Sequence, residues 1–432
     1  MATMTVRPVE QWQRLARPER PARARPQRLL RIGVVAPPWY EIPPPAYGGI
    51  ELMCAWLVDG LVARGHAVTL VGAGRGRTRG RFLRTFQRPP TQRIGQSLPE
   101  ALHAATAATL LLDLDLDVVH DFSLTGPLLA AGRDVPTLVT VHGDLRGDLG
   151  AYYRALGDRV GLVAVSWAQR RSAPDLPWAR VIHNGLPVDG YPYRDTKDHF
   201  ALFLGRMSPV KGAHLAIEAA RDAGLRLVMA GKCNEPHERA YFDRWVRPRL
   251  SRDVAWLGEV DTARKKDLLS RASCLLFPIR WAEPFGLVMV EALACGTPVV
   301  ALGAGAVPEV IEHGRSGLIG QRPEDLAELL SQVGDLDPAA CRERAQSFDV
   351  AAMVRRYEAL YAAAARDSPA PPSRDGSPPS VRRRPLPLRP RSADRLAASA
   401  AGARRSAPGE PRSLRSGGDR SRRNHADGGA GT

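Results

Sequence analysis

One pattern constrains this chain more than any other. From Leu29 onward, short β-branched or apolar runs alternate with amphipathic helical stretches, and the whole alternation occurs twice. In the first series residues 32–36, 67–72, 118–122, 138–142, 162–166 and 181–183 read as strands, and 49–64 as a helix. Residues 189–199 break the rhythm: they are polar, lack periodicity and set Pro192 between Tyr191 and Tyr193. The second series has strands at 201–205, 226–230, 254–257, 274–278 and 298–302, and a helix over 211–223. Strands alternating with helices predict parallel sheets covered on both faces. The expected fold class is therefore α/β, with two Rossmann-like, doubly wound parallel-sheet domains, 29–188 and 200–348. The linker 189–199 joins them, and a cleft lies between. A last helical pattern over 349–367 puts Met353, Val354, Tyr357, Leu360 and Tyr361 on one face. That face needs a partner, and the first domain is a candidate.

Charge narrows the function. The 432 residues carry a formal net charge of +16, which suggests a nucleic-acid or anionic-surface binding protein. Residues 1–31 hold eight Arg and two Glu, and residues 368–432 hold fourteen Arg and five acids. Removing these contributions of +6 and +9 leaves +1 for residues 32–367. The basic character belongs to the ends, without interleaved aromatics, so no specific nucleic acid is expected. Residues 1–28 and 368–432 read as a basic extension and an Arg/Pro/Ser-rich tail. Both are too poor in apolar residues to offset their ordering entropy, and so are predicted to be disordered. Weak peripheral contact with an anionic membrane is the partner such ends would favour. The five cysteines are scattered, with no zinc-like pairing and no disulfide framework. The first thirty residues have no apolar core of a signal peptide, and no apolar run reaches the length of a spanning helix. A cytoplasmic location is expected.

In open parallel sheets, ligands bind beyond the carboxyl ends of strands. After the first strand comes Tyr47-Gly48-Gly49, opening a helix, where backbone N–H groups can approach an anion. A glycine pair is equally a feature of ordinary turns. His142 ends the fourth strand, a place where a histidine is also commonly structural. The first strand of the second series leads into Arg206 and Lys211, two cations flanking a turn into a helix, where a diphosphate would sit. Residues 282–296 say most. Pro284 suits the first position of a helix and Cys295-Gly296 its end. Glu291 is the one charge between them, and a carboxylate in such apolar company requires hydrogen-bond donors, such as a ribose diol. Glu283 is placed to reach a sugar hydroxyl, and the N–H groups of Phe285, Gly286 and Leu287 to face a pyrophosphate. The acidic run Asp113-Leu114-Asp115-Leu116-Asp117 has metal-like spacing but precedes a strand, on the wrong sheet edge for catalysis.

Glu283 and Glu291, with seven residues between them, resemble the EX7E motif of retaining glycosyltransferases with the GT-B fold, most closely family 4. Gly48-Gly49, His142, residues 182–189, Arg206 with Lys211, and residues 307–319 match in order. The resemblance covers roughly residues 30–365. It implies a hexosyltransferase with an acceptor-binding first domain and a donor-binding second domain. Glu291 would hold the ribose of a nucleotide diphosphate sugar, and Glu283 would touch the transferred sugar. Arg206 and Lys211 would stabilise the leaving diphosphate, and Gly49 would offer its N–H to it. His142 would lie near the transferred sugar and acceptor. Val260 and Asp261 would contact the base, and Glu309 would be a second acid near the donor. No cofactor and no metal are expected. The acceptor stays open among small molecules, lipids and saccharides. A phosphorylase, hydrolase or epimerase on the same fold is the alternative within enzymes.

Overall fold

The computed structural model describes residues 28–366. The predicted basic extension and tail therefore fall outside the described residues, apart from Arg28 at the extension's end. The first sheet has seven parallel strands in the order β3-β2-β1-β4-β5-β6-β7. These are β1 (Arg31–Val35), β2 (Ala67–Ala73), β3 (Arg81–Phe86), β4 (Val118–Asp121), β5 (Thr137–Val141), β6 (Gly161–Ala164) and β7 (Trp178–Val181). The second has six, in the order β10-β9-β8-β11-β12-β13. They are β8 (Asp198–Leu204), β9 (Leu227–Ala230), β10 (Val254–Trp256), β11 (Ala272–Phe277), β12 (Val299–Leu302) and β13 (Gly317–Gly320). Ile32 to Val35 are fully buried, as are Cys274 to Leu276, because parallel strands covered on both faces have no solvent side.

In each sheet the strand order reverses at one point, between β1 and β4 and between β8 and β11. Chain connections leave these points to opposite faces and open a crevice at the carboxyl ends. Helices α1 (Gly49–Ala63), α2 (Ser97–Leu112) and α3 (Trp167–Ser172) belong to the first sheet's half. The second half contains α4 (Ala213–Asp222), α5 (Thr262–Arg271), α6 (Leu287–Ala294) and α7 (Val307–Val310).

The last helix, α8 (Val350–Arg366), returns to the first sheet's core. Its Met353, Val354, Tyr357, Leu360 and Tyr361 pack with Leu57 and Leu61 of α1. Gly60 makes the close crossing possible, since a Cβ there would lie 2.5 Å from Val354 Cγ2. Beneath the helix runs a buried polar chain. His120 pairs with the Tyr361 hydroxyl at 2.6 Å and with Thr140 Oγ1 at 2.8 Å, and Thr140 meets the Tyr357 hydroxyl at 2.9 Å. The chain crosses between halves twice in adjacent places: Leu186 N donates to Phe348 O at 3.0 Å, and Val350 N to Leu186 O at 2.9 Å.

Several local readings change. The strand read at 181–183 lies at Trp178–Val181 instead. Edge strands β3 and β13 carried no recognisable pattern, the first being Arg-rich and the second a four-residue Gly-Leu-Ile-Gly. Residues 209–211 form a 3-10 turn, so α4 begins at Ala213, not at Lys211. Pro284 stands outside α6, which starts at Leu287 after Gly286 in the left-handed conformation (φ 79°).

Candidate active site at the carboxyl edge of the second sheet

The reversal point between β8 and β11 gathers the predicted cations and carboxylates. Arg206 follows β8, and Trp281, Glu283 and Gly286 follow β11. Gly212 (φ 73°) joins the two turns, because a Cβ there would lie 2.2 Å from Pro278 O. Lys211 Nζ donates to Glu283 Oε2 at 2.6 Å, and the Trp281 indole N–H donates to the same oxygen at 2.8 Å. The ammonium group also lies 5.3 Å from the centre of the Trp281 ring, an orientation that favours a cation. Glu283 is buried, held from behind by Ala306 N donating to its carbonyl at 2.9 Å. That backbone approach requires Gly305, whose Cβ would fall 2.3 Å from Glu283 O.

Arg206 has no acidic partner among the described residues, although it is partly buried. Its charge lowers the Tyr47 phenol's pKa, but the larger effect of burial leaves that phenol above its ordinary range. Tyr47 precedes Gly48-Gly49, and the Lys232 ammonium lies 5.8 Å from its ring. The glycine loop of the first half thus borders the cations of the second. A Cβ at Gly49 would meet nothing within 4 Å, so the first turn of α1 is open to a ligand.

Glu291 is 4% exposed, which rules out a side chain lying in solvent at the helix edge. Tyr191 donates its hydroxyl to Oε1 at 2.8 Å, and Lys265 Nζ donates to the same atom at 2.6 Å. Oε2 takes no hydrogen bond among the described residues. The N–H groups of Phe285, Gly286 and Leu287, preceding and opening α6, likewise have no partner among them. With Arg206 and Lys211 nearby, they form a region of positive potential next to an acceptor oxygen, suited to a diphosphate joined to a diol.

Across the cleft, Gly143 to Leu145 face Ala282 to Pro284 around a small cavity. His142 adjoins that cavity in sequence, at the carboxyl end of β5, stacked on Phe122 at 5.9 Å between ring centres. Burial pulls its imidazole down to a pKa of about 4, and its Nε2 has no hydrogen-bond partner among the described residues. A neutral ring with one free nitrogen can serve a hydroxyl as donor or acceptor.

Two residues expected near the donor also make contacts within the protein. Asp261 caps α5, its Oδ1 accepting from Arg264 N at 2.7 Å. Glu309 reaches across to the first half, where Trp167 N (2.9 Å) and Ala168 N (2.5 Å) at the start of α3 donate to it. His183 Nε2 lies 2.9 Å from its Oε2. Burial raises the Glu309 pKa, and these hydrogen bonds more than offset it, holding the carboxyl below its ordinary range. Both oxygens of Glu309 thus already accept hydrogen bonds within the protein. Val260 remains in the loop after β10, partly buried.

Sequence reading missed Trp281, Tyr191, Lys265 and Lys232. Only Trp281, two residues from Glu283, had a local signal. Among the described residues one cluster, Glu235, His237 and Glu238, gathers possible metal ligands. Lys232 already occupies it, paired with Glu235 and 3.6 Å from Glu238. The acidic run before β4 is bound by Arg31, which pairs with Asp115 and Asp117. No helix among the described residues is long and apolar enough to cross a membrane.

Comparison with known proteins agrees with this geometry. Residues 47–189 match the family model described as Glycosyltransferase Family 4, and residues 192–348 the one described as Glycosyl transferases group 1. Glycogen synthase of Mycobacterium tuberculosis is 29% identical over 264 residues, 54% of this chain and 63% of that protein. The chain thus spans less than two thirds of that relative's length. Phosphatidyl-myo-inositol mannosyltransferase of the same organism is 27% identical over 362 residues, 76% of this chain and 93% of that protein. The crystal structure of AviGT4, a glycosyltransferase involved in avilamycin A biosynthesis, aligns with a TM-score of 0.60 and 27% identity, covering 78% of this chain and 98% of the other. The two matched segments meet at the linker and together contain both halves of the cleft, and on this ground the chain belongs to the family 4 glycosyltransferases of the GT-B fold.

Proposed function

We propose that the protein transfers a hexose-type sugar from a nucleotide diphosphate donor to an acceptor bound by the first domain, retaining the anomeric configuration and needing no metal. The observation that carries this reading is the convergence of Arg206, the Lys211–Glu283 pair and the open N-terminus of α6 at one strand-order reversal. Breaking the anomeric C–O bond places charge on phosphate oxygens, and preorganised cations and N–H groups lower that barrier. Arg206, Lys211 and the amides of Phe285, Gly286 and Leu287 supply them. Gly49 adds an N–H from the other side. This fixed positive charge does what a divalent cation could otherwise do.

Glu291 Oε2 accepts a ribose hydroxyl, while Tyr191 and Lys265 hold the other oxygen. Glu283, fixed by Lys211 and Trp281, meets a hydroxyl of the transferred sugar. The acceptor oxygen attacks from the leaving-group face, and the departing diphosphate takes its proton. His142, neutral at working pH, orients a sugar or acceptor hydroxyl. Domains 29–188 and 200–348 act as acceptor and donor halves, and their closure excludes water.

The direct test is turnover: incubation with UDP-, GDP-, ADP-, TDP- and CDP-hexoses, with and without EDTA, alongside small polyol, glycoside and lipid acceptors. Release of one nucleoside diphosphate together with a glycoside of unchanged anomeric configuration, by NMR, is the expected outcome. Release of free sugar even with acceptors present would point to a hydrolase, and sugar phosphate formation to a phosphorylase.

A further inference from the structure

The strand-order reversal of the first sheet, between β1 and β4, carries polar groups that the proposed reaction does not use. Trp39 and Tyr40 follow β1, Ser123 to Thr125 follow β4, and Glu51 and Glu100 stand in the first turns of α1 and α2. These segments are tied together at the sheet's carboxyl edge. Thr125 Oγ1 donates to Glu100 O at 2.8 Å, and the Tyr152 hydroxyl to Leu124 O at 2.5 Å. Glu51 turns back so far that a Cβ at Gly48 would lie 3.2 Å from its Oε2. His142 stands at the end of the neighbouring strand β5, stacked on Phe122.

The hydrogen bonding in this crevice does not close. Asp121 is satisfied, accepting from Ser123 N at 3.0 Å, Ser123 Oγ at 2.7 Å and Arg133 Nη2 at 3.1 Å. Glu51 and Glu100 are 4% and 6% exposed, yet among the described residues neither pairs with a cation. Glu100 Oε2 and the Tyr40 hydroxyl are buried without a hydrogen-bond partner among those residues. Burial raises the Glu100 carboxyl above its ordinary range, and donors on Trp39, Leu124 and Thr125 offset only part of that. The Glu100 charge in turn adds to the burial that lifts Glu51. Burying two interacting carboxyls is costly unless a donor or a positive charge meets them, and buried polar groups left open in this way call for a ligand.

We propose that this crevice holds the acceptor by an ammonium group, so that the acceptor is an amine-bearing polyol such as an amino sugar or an aminocyclitol. The inference rests on the sugar-transfer reading above and names the acceptor class for it. An ammonium offers three donors and no acceptor, which is what Glu100 Oε2, the Glu51 carboxylate and the Tyr40 oxygen lack. A neutral polyol would hydrogen-bond to them but leave the two like charges uncompensated, and a phosphorylated acceptor would bring further negative charge beside them. Arg133, held by Asp121, is not free to take a phosphate. The protonated amine has no lone pair to attack with, so a hydroxyl of the same ring, on the His142 side, remains the nucleophile.

The test is calorimetric titration of the full-length protein at neutral pH, alone and with each nucleoside diphosphate, using matched probes. Scyllo-inositol is compared with streptamine, the same ring with two hydroxyls replaced by amines, and methyl glucoside with methyl glucosaminide. Inositol monophosphate is the anionic probe. At least one amine should bind about 10- to 100-fold more tightly than its hydroxyl counterpart, as for hydrogen bonds to a charged group. E100Q and E51Q should each reduce that preference to about threefold or less, with little change for the hydroxyl probes. The proposal is overturned if neither amine binds more tightly than its counterpart, if inositol monophosphate binds best, or if both variants keep the full preference. The nucleoside diphosphate thermal shift reads the donor site separately. An intact shift without an amine preference refutes the acceptor class alone, whereas a missing shift in the wild type speaks against the sugar-transfer reading.

Discussion

Glu291 and Lys211 differ in what they are asked to do, and their variants should differ accordingly. Glu291→Ala removes an acceptor for the ribose, an interaction present in ground and transition states alike. Its donor KM should rise about 10- to 100-fold with a smaller change in kcat, as for a hydrogen bond to a charged group. Lys211→Ala removes charge that matters most as the diphosphate leaves, so kcat should fall about 10²- to 10³-fold. Steady-state kinetics with both variants at wild-type values would contradict the site. Glu51, in the first turn of α1, offers a different check. It is 4% exposed, and burial lifts its carboxyl to about 7. A carboxyl raised in the folded state binds its proton there more tightly than when unfolded, so stability falls as pH rises from the ordinary carboxylate range through about 7. Glu51→Gln should flatten that fall in urea melts, by up to about 3 kcal/mol above pH 7. Glu291 was readable because it is the lone charge in an apolar helix. Its holders were not: Lys265 lies 26 residues away and Tyr191 100, and in sequence each looks like a surface charge or a linker aromatic.

At the scale of elements, α8 is bound to a sheet it does not follow in sequence. The apolar stripe of Met353, Tyr357 and Tyr361 showed that the helix must dock, but not that its hydroxyls complete a chain through His120 and Thr140. Removing one member strands a buried partner. Tyr361→Phe should cost about 1–3 kcal/mol, seen as a lower urea midpoint with an unchanged slope. Strands β9 and β12, read to within one residue, are buried along their whole length, where hydrophobicity is continuous. Edge strand β3 escaped notice because its residues are chosen for solvent, and hydrophobic pattern is the only signal a short strand has. The start of α6 was misplaced for a related reason. Pro284 fits a helix start by rule, yet the turn through Gly286 carries the chain past Glu283 before the helix begins.

For the whole molecule, the relation between the halves rests partly on Glu309. It comes from α7 in the second half and closes the N-terminus of α3 in the first, with His183 beside it. Sequence likeness assigned it a place near the donor, but order along a chain does not reveal this contact with α3. Glu309→Ala should loosen the closed arrangement, raising the radius of gyration in X-ray scattering and the donor KM together. Its folded-state pKa is depressed, so this contact holds above the ordinary carboxylate range and is lost as pH falls through the folded value. Two domains, their parallel sheets and the strand ends that carry the cations all follow from the alternation in the sequence, whereas the contacts that hold the halves together do not.

The central claim is a diphosphate site made of Arg206, Lys211 and the start of α6, and nucleotide binding tests it most directly. Thermal unfolding of the full-length protein would be followed with UDP, GDP, ADP, TDP and CDP, each with and without EDTA. A nucleotide at about 100 times its dissociation constant adds about 2.7 kcal/mol, a rise of roughly 2–4 °C. The account predicts such a rise for one nucleotide, unaffected by EDTA and lost in Arg206→Ala. No rise with any of them, or a rise abolished by EDTA, would contradict it.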